Sequence, residues 1–258
     1  METTELQRAA EVATRACDQA REQILPRFRD VAVEFKADGT PVTEADRAAE
    51  RVIRQVLQKA YPDFGLLGEE YGAGGNSEPG KPQWIIDPID GTISFSRGIP
   101  LFGTLIALME DEKPVVGVID LPALDERYVS WAGGGCSRNG QPVRASQADR
   151  LDRAIISVGD PICFEWAGRR PVLDRLQSTV PLVRGYTDAF GHAMVLTGAL
   201  DAMVDCDLNP WDAAATQLMA VEAGGACVTR IGARGRLDLI FGSPALVEQI
   251  TEFFDALD

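Results

Sequence analysis

Two aspartates close a short apolar stretch in the first half of this 258-residue chain. Residues 84–86 (Trp-Ile-Ile) predict a buried strand, and Asp87 and Asp90 follow with Pro88 between them. Pro88 keeps Asp87 extended and is expected to end regular strand pairing there. The Gly-Thr pair at 91–92 predicts a tight turn whose backbone N–H groups can face an anion. Because carboxylates bind hard cations such as Mg²⁺ and N–H groups bind phosphate, this stretch indicates a metal-dependent phosphate site.

Two further acids, Glu69 and Asp212, are candidates for the same metal site. Taken alone, Glu69 is typical of a solvated loop acid. Asp212 follows Asn-Pro-Trp at a predicted helix start, where a carboxylate ordinarily compensates the helix dipole at about 0.3–1 kcal/mol. Asp87 is harder to explain without a ligand, because an unpaired carboxylate at the edge of a core is costly. Asp90 beside it would add repulsion unless a cation lay between the two.

The elements that must position these acids can be predicted from periodicity and turn residues. Residues 4–25 predict an amphipathic helix, and Thr43 is expected to cap a second one that ends near residue 57. A strand is predicted at 31–35, followed by a turn at 36–39, and residues 71–82 are rich in Gly, Pro, Ser and Asn and predict a loop. Later strands are predicted at 104–109, 115–119, 127–131, 154–158, 181–184, 202–205, 226–229 and 237–241. Later helices are predicted at 164–178, 189–197, 211–223 and 245–257.

These elements divide the chain into two halves. Residues 1–150 predict an antiparallel sheet against two helices and carry most of the candidate metal ligands. Residues 151–258 predict alternating strands and helices and add Asp212 and the candidate substrate residues. We expect an α/β fold in which the two halves form one packed unit.

Composition excludes several classes of function. The net charge of −14 and the sequence pI near 4.6 argue against nucleic acid or a membrane surface as a partner. No apolar run approaches the roughly 18 residues of a membrane span, and the charged start of the chain predicts no secretory leader. Five scattered cysteines without a Cys-x-x-Cys pair indicate reduced thiols in the cytoplasm. The chain has a single histidine and no Gly-x-Ser-x-Gly motif, so its residues argue against a serine-histidine hydrolase and against a histidine-ligated zinc site.

Several motifs in the chain, taken together, resemble the inositol monophosphatase superfamily. They are Gly-Glu-Glu at 68–70, the stretch at 84–92, Trp-Asp-x-Ala-Ala at 211–215, Glu-Ala-Gly-Gly at 222–225, and a signature at 36–46 that begins with Lys and ends with Ala-Asp. The resemblance extends from about residue 36 to residue 244. It implies a Mg²⁺-dependent phosphomonoesterase with a layered αβαβα fold, acting on a small-molecule phosphate ester, and it suggests a homodimer.

The resemblance also implies a set of metal ligands. One Mg²⁺ ion would be held by Glu69, Asp87 and the carbonyl of Ile89. A second would be bridged by Asp87 and held by Asp90 and Asp212. A third, looser ion would lie near Glu69.

The same resemblance implies the catalytic residues. Thr92 and Asp46 would form the pair that polarises the attacking water, and Glu69 would act with them beside the metal. The N–H groups of Gly91 and Thr92 would hold the phosphate oxygens. Metal-activated water needs no covalent enzyme intermediate, which agrees with the lack of a nucleophile motif.

Three segments favour the histidinol-phosphate phosphatase branch of the superfamily. Ser94 stands where inositol enzymes usually carry Asn, and residues 98–106 and 187–193 are more similar to the histidinol-phosphate branch. Two positions depart from that branch, which usually has Gly in place of Thr187 and often Tyr in place of His192.

Histidinol phosphate carries an ammonium and an imidazole, so acids around the pocket would favour it. Asp188 and Asp205 are the candidates, although Asp188 could also be a helix N-cap. Arg184 could contact phosphate or orient Asp188, and a structural ion pair is its alternative. His192 lies inside an apolar helix and is expected to pack or support other residues rather than to catalyse. Lys36 could contact the waters of the third ion or be a solvated turn lysine.

A histidinol-phosphate phosphatase is therefore the leading hypothesis. An inositol monophosphatase or a broad-specificity phosphatase of the same superfamily is the alternative. A nucleotide 3′-phosphatase or a fructose bisphosphatase is less favoured because neither an adenine pocket nor a second basic phosphate site is evident. A non-catalytic metal- or phosphate-binding relative would be expected to have lost a ligand, and all four carboxylates and Thr92 are present.

Overall fold

The structure, a computed structural model, describes residues 1–36, 39–78 and 80–257. Its helices are α1 (Thr3–Ile24), α2 (Glu44–Ala60), α3 (Thr92–Ser96), α4 (Pro161–Trp166), α5 (Arg170–Thr179), α6 (Asp188–Leu196), α7 (Pro210–Glu222) and α8 (Pro244–Asp255). Its strands are β1 (Val33–Phe35), β2 (Pro41–Thr43), β3 (Gly65–Gly68), β4 (Gly72–Gly75), β5 (Gln83–Asp90), β6 (Gly103–Glu110), β7 (Lys113–Leu121), β8 (Glu126–Trp131), β9 (Cys136–Arg138), β10 (Gln141–Pro142), β11 (Ile155–Val158), β12 (Leu182–Arg184), β13 (Ala202–Leu208), β14 (Ala226–Ile231) and β15 (Leu237–Gly242).

The strands form two large sheets and one small hairpin. The first large sheet has the order β10-β9-β8-β7-β6-β5-β3-β4 and is antiparallel except where β3 runs parallel to β5. The second has the order β12-β11-β13-β15-β14 and mixes parallel and antiparallel pairs. The hairpin pairs β1 with β2. The expected antiparallel sheet in the first half is thus confirmed, with one parallel pair inside it.

Helices cover both sheets in a five-layer arrangement. One apolar cluster joins α1 and α2 to the first sheet, a second fills the space around α6 and α7 between the sheets, and a third joins α4, α5 and α8 to the second sheet. Strand alternation sets these faces: Trp84 and Ile86 pack toward α1 and α2, whereas Ile85 packs toward α6 and α7. The expected αβαβα sandwich is confirmed.

The middle cluster draws residues from both predicted halves, such as Ile85 and Met203. This packing agrees with a single unit, and the boundary near residue 150 stays a prediction. Across the described residues, the structure holds no helix with the length and apolarity that a membrane crossing requires.

Local sequence signals explain most of the boundaries. The predicted start of α2 is confirmed, because Thr43 accepts a hydrogen bond from the backbone N–H of Ala45 and Asp46 accepts one from the N–H of Thr43. The predicted loop at 71–82 is wrong in part, since β4 lies within it. Three of its four residues are glycine, so pairing of its backbone with β3 leaves no alternating side-chain pattern to detect. Ala37 and Asp38 of the predicted turn, and Pro79 of the predicted loop, lie outside the described residues.

Candidate active site

A bulge at the end of β5 brings its two aspartates to the same place. Asp87 pairs with Leu105 and Asp90 with Gly103, so three residue steps on β5 oppose two on β6. In a regular strand, residues three apart point to opposite faces, and the extra residue of the bulge reverses this. Regular pairing is interrupted at Pro88 as expected, but the strand itself continues to Asp90.

Asp212 reaches the same point from α7. The nearest carboxylate oxygens of Asp87, Asp90 and Asp212, called here the aspartate cluster, all lie within 4.8 Å of one another. Asp212 is the third residue of α7, and its Oδ2 accepts hydrogen bonds from the backbone N–H of Asn209 (2.7 Å) and from the Asn209 side chain (3.3 Å). Its helix-capping role and its place in the cluster therefore coexist.

Glu69 lines the same cavity from the turn between β3 and β4. Because β3 runs parallel to β5, with Gly68 opposite Ile86, Glu69 follows β3 directly beside the end of β5. The Lys36 ammonium donates to Glu69 (2.8 Å) and to Glu70 (2.6 Å). Lys36 is thus an ion-paired residue rather than a solvated turn lysine.

The turn that carries Glu69 is anchored by Glu50, a buried acid on α2 that the sequence did not point out. Its carboxylate accepts from the N–H groups of Glu70 (2.7 Å) and Tyr71 (3.2 Å) and from Arg54 Nε (2.7 Å). Gly68 makes room for it, because a Cβ there would lie 2.1 Å from Glu50 Oε1. Its pairing with Arg54 is an ordinary i,i+4 ion pair of a helix, and its contacts with the turn come from residues 20 and 21 positions away, so the helical pattern does not reveal its anchoring role.

Burial and mutual repulsion hold these acids partly protonated when no cation is present. Burial, and then the charges of the neighbouring acids, raise the pKa values of Asp87 and Asp90 well above the usual range. Burial also raises the pKa of Asp212 to about 6 and that of Glu69 to about 7, the latter despite the opposing effect of Lys36.

The same group of acids fits a hard cation. Among the described residues, Asp90 Oδ2 is a buried oxygen without a hydrogen-bond partner, and such an atom is costly unless something binds it. The donors that converge here are all oxygens, the ligand type that Mg²⁺ prefers. The residues present therefore fit a divalent cation of the Mg²⁺ type.

Thr92 lies at the start of α3, next to the aspartate cluster. Its hydroxyl is 3.2 Å from Asp46 Oδ1 and 3.0 Å from the carbonyl oxygen of Ile89. Gly91, in the left-handed conformation with φ +87°, turns the chain from β5 into α3. Burial raises the pKa of Asp46 although Thr43 and Thr92 donate hydrogen bonds to it. The structure thus brings together Asp46, Thr92 and the Ile89 carbonyl.

The cavity lined by Glu69, the aspartate cluster and Thr92 has a volume of about 370 Å³ and contains a second acidic group. This second acidic group consists of Asp160, Asp188, Asp205 and Asp207, and Asp207 is paired with Arg234 (3.0 Å) and Arg236 (3.5 Å). The described residues that line the cavity include no lysine or arginine. Burial, followed by the charge of Asp205, raises the pKa of Asp188 to about 6 and that of Asp160 above its usual range.

Asp188 is the first residue of α6 rather than its N-cap, which is Thr187. Its backbone is left-handed, with φ +58°, an uncommon conformation for a residue with a side chain. The Thr187 hydroxyl donates to Asp188 Oδ2 at 2.9 Å. The alternative interpretation of Asp188 as a helix cap is therefore wrong, and its carboxylate faces the cavity instead.

The structure does not bring Arg184 to this cavity. Arg184 is exposed on β12, and its guanidinium donates to the carbonyl of Val183 (Nη1 to O, 3.1 Å). It lines a neighbouring cavity of about 410 Å³ together with Gly185 and Thr187. This placement does not support contact between Arg184 and phosphate at the aspartate cluster, because Arg184 lies on the exposed side of an edge strand.

Sequence reasoning missed three cavity residues in the second half, Asp160, Cys163 and Asp207. Asp160 follows a predicted strand and precedes Pro161, which is the same pattern of strand end and proline that pointed to Asp87. Cys163 and Asp207 carry no comparable signal. Burial, and then the charges of Asp205 and Asp160, raise the pKa of the Cys163 thiol to about 12, which disfavours the reactive thiolate.

The chain belongs to the inositol monophosphatase family, whose model matches residues 5–249. Among curated relatives, it is 40% identical over 245 residues to the histidinol-phosphatase of Chlorobaculum parvum, covering 93% of this chain and 90% of that protein. It is 38% identical to the histidinol-phosphatase of Mycobacterium tuberculosis, covering 87% of this chain and 88% of the relative. It is also 33% identical to the inositol monophosphatase of Dictyostelium discoideum, covering 87% and 86%.

Solved structures agree with this assignment. The extragenic suppressor protein suhB of Bartonella henselae superposes with a TM-score of 0.85 at 31% identity, covering 94% of this chain and 96% of that one. The expected family, the expected fold and the likeness to histidinol phosphatases are thus confirmed. The match to the family model begins at residue 5, whereas the first motif noted in the sequence begins at residue 36.

Proposed function

We propose that the chain is a Mg²⁺-dependent phosphomonoesterase that hydrolyses histidinol phosphate to histidinol and phosphate. The observation that carries the proposal is the acid-rich lining of one cavity. The aspartate cluster brings three carboxylates within 4.8 Å of one another, and the lining adds a second group of four aspartates but no lysine or arginine. The cluster suits a metal ion and phosphate, and the second acidic group suits a positively charged leaving group.

Glu69, the Ile89 carbonyl and the aspartate cluster of Asp87, Asp90 and Asp212 would hold two or three Mg²⁺ ions. When bound, such ions lower the pKa of a water molecule and neutralise phosphate charge. The protein supplies an oxygen-only site whose members are fixed by the β5 bulge, by the first turn of α7 and by the β3–β4 turn. The N–H groups of Gly91 and Thr92 would bind the phosphate oxygens.

Thr92 would orient the attacking water. Asp46 Oδ1 and the Ile89 carbonyl oxygen both lie within hydrogen-bond distance of the Thr92 hydroxyl. Both are acceptors, so the one proton of the hydroxyl is donated on this side. The lone pairs of the hydroxyl then remain free to accept a hydrogen from the water, whose oxygen attacks phosphorus. The bond from phosphorus to the ester oxygen breaks as the bond from the water oxygen to phosphorus forms. One proton of the water is transferred to the leaving oxygen, which departs as the hydroxyl of histidinol, and the other stays on the released phosphate.

Within the second acidic group, Asp188 and Asp205 would bind the ammonium and the imidazole of the substrate. Both acids line the cavity, and the like charge of the other acids there favours a cation over a neutral polyol. The relatives named histidinol-phosphatases support this choice of substrate.

The test is phosphate release from histidinol phosphate and from inositol 1-phosphate, measured side by side with Mg²⁺ and with EDTA. We expect Mg²⁺-dependent release with a strong preference for histidinol phosphate. Much faster turnover of inositol 1-phosphate would refute the substrate and leave the metal site intact. No release from either ester would refute the enzyme activity proposed here.

An inositol monophosphatase or a broad-specificity phosphatase is the second candidate. It is supported by relatives such as the Dictyostelium inositol monophosphatase and the bifunctional phosphatase IMPL2 of Arabidopsis thaliana, which is 32% identical over 232 residues. A non-catalytic relative is disfavoured because Thr92 and the four acids are all in place. The homodimer suggested by the resemblance and the cytoplasmic location suggested by the cysteines stay predictions.

A further inference from the structure

His192, the single histidine of the chain, lines the cavity next to Asp205, a member of the second acidic group. It is 1% exposed and packs edge-on against Phe241, with the ring centres 5.0 Å apart. Its Nδ1 is 2.8 Å from the hydroxyl oxygen of Thr216 on α7, and its Nε2 is 3.3 Å from Asp205 Oδ2 on β13. His192 therefore joins two elements through both ring nitrogens.

Hydrogen-bond chemistry gives these contacts a direction. An ionised carboxylate only accepts hydrogen bonds, so Nε2 must carry the proton that faces Asp205. In a neutral imidazole Nδ1 is then an acceptor, and the Thr216 hydroxyl donates to it. Thr216 therefore donates to His192, and His192 donates to Asp205. The hydrogen bond from Thr216 stabilises the tautomer with the proton on Nε2, which is the one that can donate to Asp205.

The other oxygen of Asp205 lies against Gly159. Gly159 has no side chain, and a Cβ there would lie 2.0 Å from Asp205 Oδ1. One oxygen of Asp205 thus occupies the space left by a glycine, and the other contacts His192.

We propose that His192 is a positioning residue that, supported by Thr216, holds Asp205 in the orientation that selects phosphate esters with a cationic group. This inference rests on the proposed function, because it assigns to Asp205 the recognition of a positive charge. His192 itself touches neither phosphate nor the aspartate cluster in this role.

The test uses Thr216, which does not line the cavity, with a matched pair of variants. Thr216→Val removes the hydroxyl at nearly constant shape, and Thr216→Ser keeps it. For each, kcat and KM are measured with histidinol phosphate and with two esters that carry no cation, inositol 1-phosphate and glycerol 2-phosphate. We expect Thr216→Val to reduce the preference for histidinol phosphate about fivefold, mainly through KM, as for the loss of one buried hydrogen bond. Thr216→Ser should retain the wild-type preference.

A double variant separates positioning from a general packing effect. In an Asp205→Asn background, Thr216→Val should cause no further loss of preference, because the carboxylate it supports is already gone. An equal further loss in that background would overturn the proposal. So would a Thr216→Val enzyme that keeps the full preference of the wild type.

The single histidine also allows a spectroscopic test on the Mg²⁺-loaded protein. Labelling with ¹⁵N-histidine gives one imidazole, and we expect its Nε2 to carry a proton. A bare Nε2 would overturn the proposal, since it could not donate to Asp205. If the wild type shows no preference for histidinol phosphate, the proposed function and this inference fail together. If that preference stands while the Thr216 or ¹⁵N result is contrary, only the role of His192 fails.

Discussion

Replacing Asp90 by asparagine should stabilise the metal-free protein and weaken its response to Mg²⁺. Asp90 Oδ2 is buried without a hydrogen-bond partner among the described residues, and its nearest neighbours are acids. Two unit charges no more than 4.8 Å apart repel by at least about 3 kcal/mol at an effective dielectric constant of about 20. Protonation relieves part of this repulsion, so we expect a gain of about 1–2 kcal/mol at pH 7 in EDTA.

The assay is thermal unfolding with EDTA and with saturating Mg²⁺. For a chain of this size, about 1–2 kcal/mol corresponds to a rise in Tm of roughly 2–8 °C. Mg²⁺ should raise the Tm of the wild type more than that of Asp90→Asn, and phosphatase activity should fall at least about 100-fold, by analogy with losses at metal sites. Asp160→Asn is the matched control, because it removes an acid from the same cavity but outside the aspartate cluster.

Two results would refute this reasoning. A lower Tm of Asp90→Asn in EDTA would show that Asp90 is not under repulsion in the metal-free state. Unchanged phosphatase activity of the variant would show that Asp90 is not a metal ligand.

Three further predictions concern other parts of the site. In the metal-free protein, the raised pKa values of Glu69 (about 7) and Asp212 (about 6) mean that both acids bind protons more tightly in the folded state than in the unfolded state. The free energy of unfolding in EDTA should therefore fall from pH 5 to pH 7, by at most about 3 kcal/mol per group, and a rise over that range would contradict it. Glu50→Gln should raise the Mg²⁺ concentration for half-maximal activity about tenfold, because the β3–β4 turn loses an acceptor. The exposed Glu44→Gln on the same helix is its control, and equal Mg²⁺ requirements in the two variants would exclude a positioning role. Thr92→Val should lower kcat about 100-fold with little change in KM, whereas Thr92→Ser should keep most of the activity; similar kcat values for both would exclude the hydroxyl.

The parts of the site that sequence reasoning could predict are those with a local signal. The apolar run before Asp87, the Thr43 cap of α2 and the position of Asp212 at a helix start are readable from neighbouring residues, and all three are found. The bulge that turns Asp87 and Asp90 to the same side is not readable in this way, because it depends on pairing with β6.

The parts that could not be predicted depend on contacts between distant segments. Glu50 contacts a turn 20 or 21 residues away, and His192 contacts residues 13 and 24 positions away, at distances that only the layered packing sets. Arg184 illustrates the opposite error, since proximity to Asp188 in sequence does not place it in the same cavity. Arg184 lies on β12, the edge strand of the second sheet, and in this segment the chain reaches the cavity only after the strand, at Thr187 and Asp188.

Helix α7 carries Asp212 and, one turn later, Thr216. Thr216 reaches Asp205, the proposed site of cation binding, only through His192. If the binding of Mg²⁺ and the binding of histidinol are coupled through this helix, the coupling must be reciprocal. Whatever factor Mg²⁺ adds to the affinity for histidinol, histidinol must add to the affinity for Mg²⁺. If that factor is greater than one, a product that retains the cationic groups helps to keep the metal in place between turnovers; if it is smaller than one, the same product helps to release the metal.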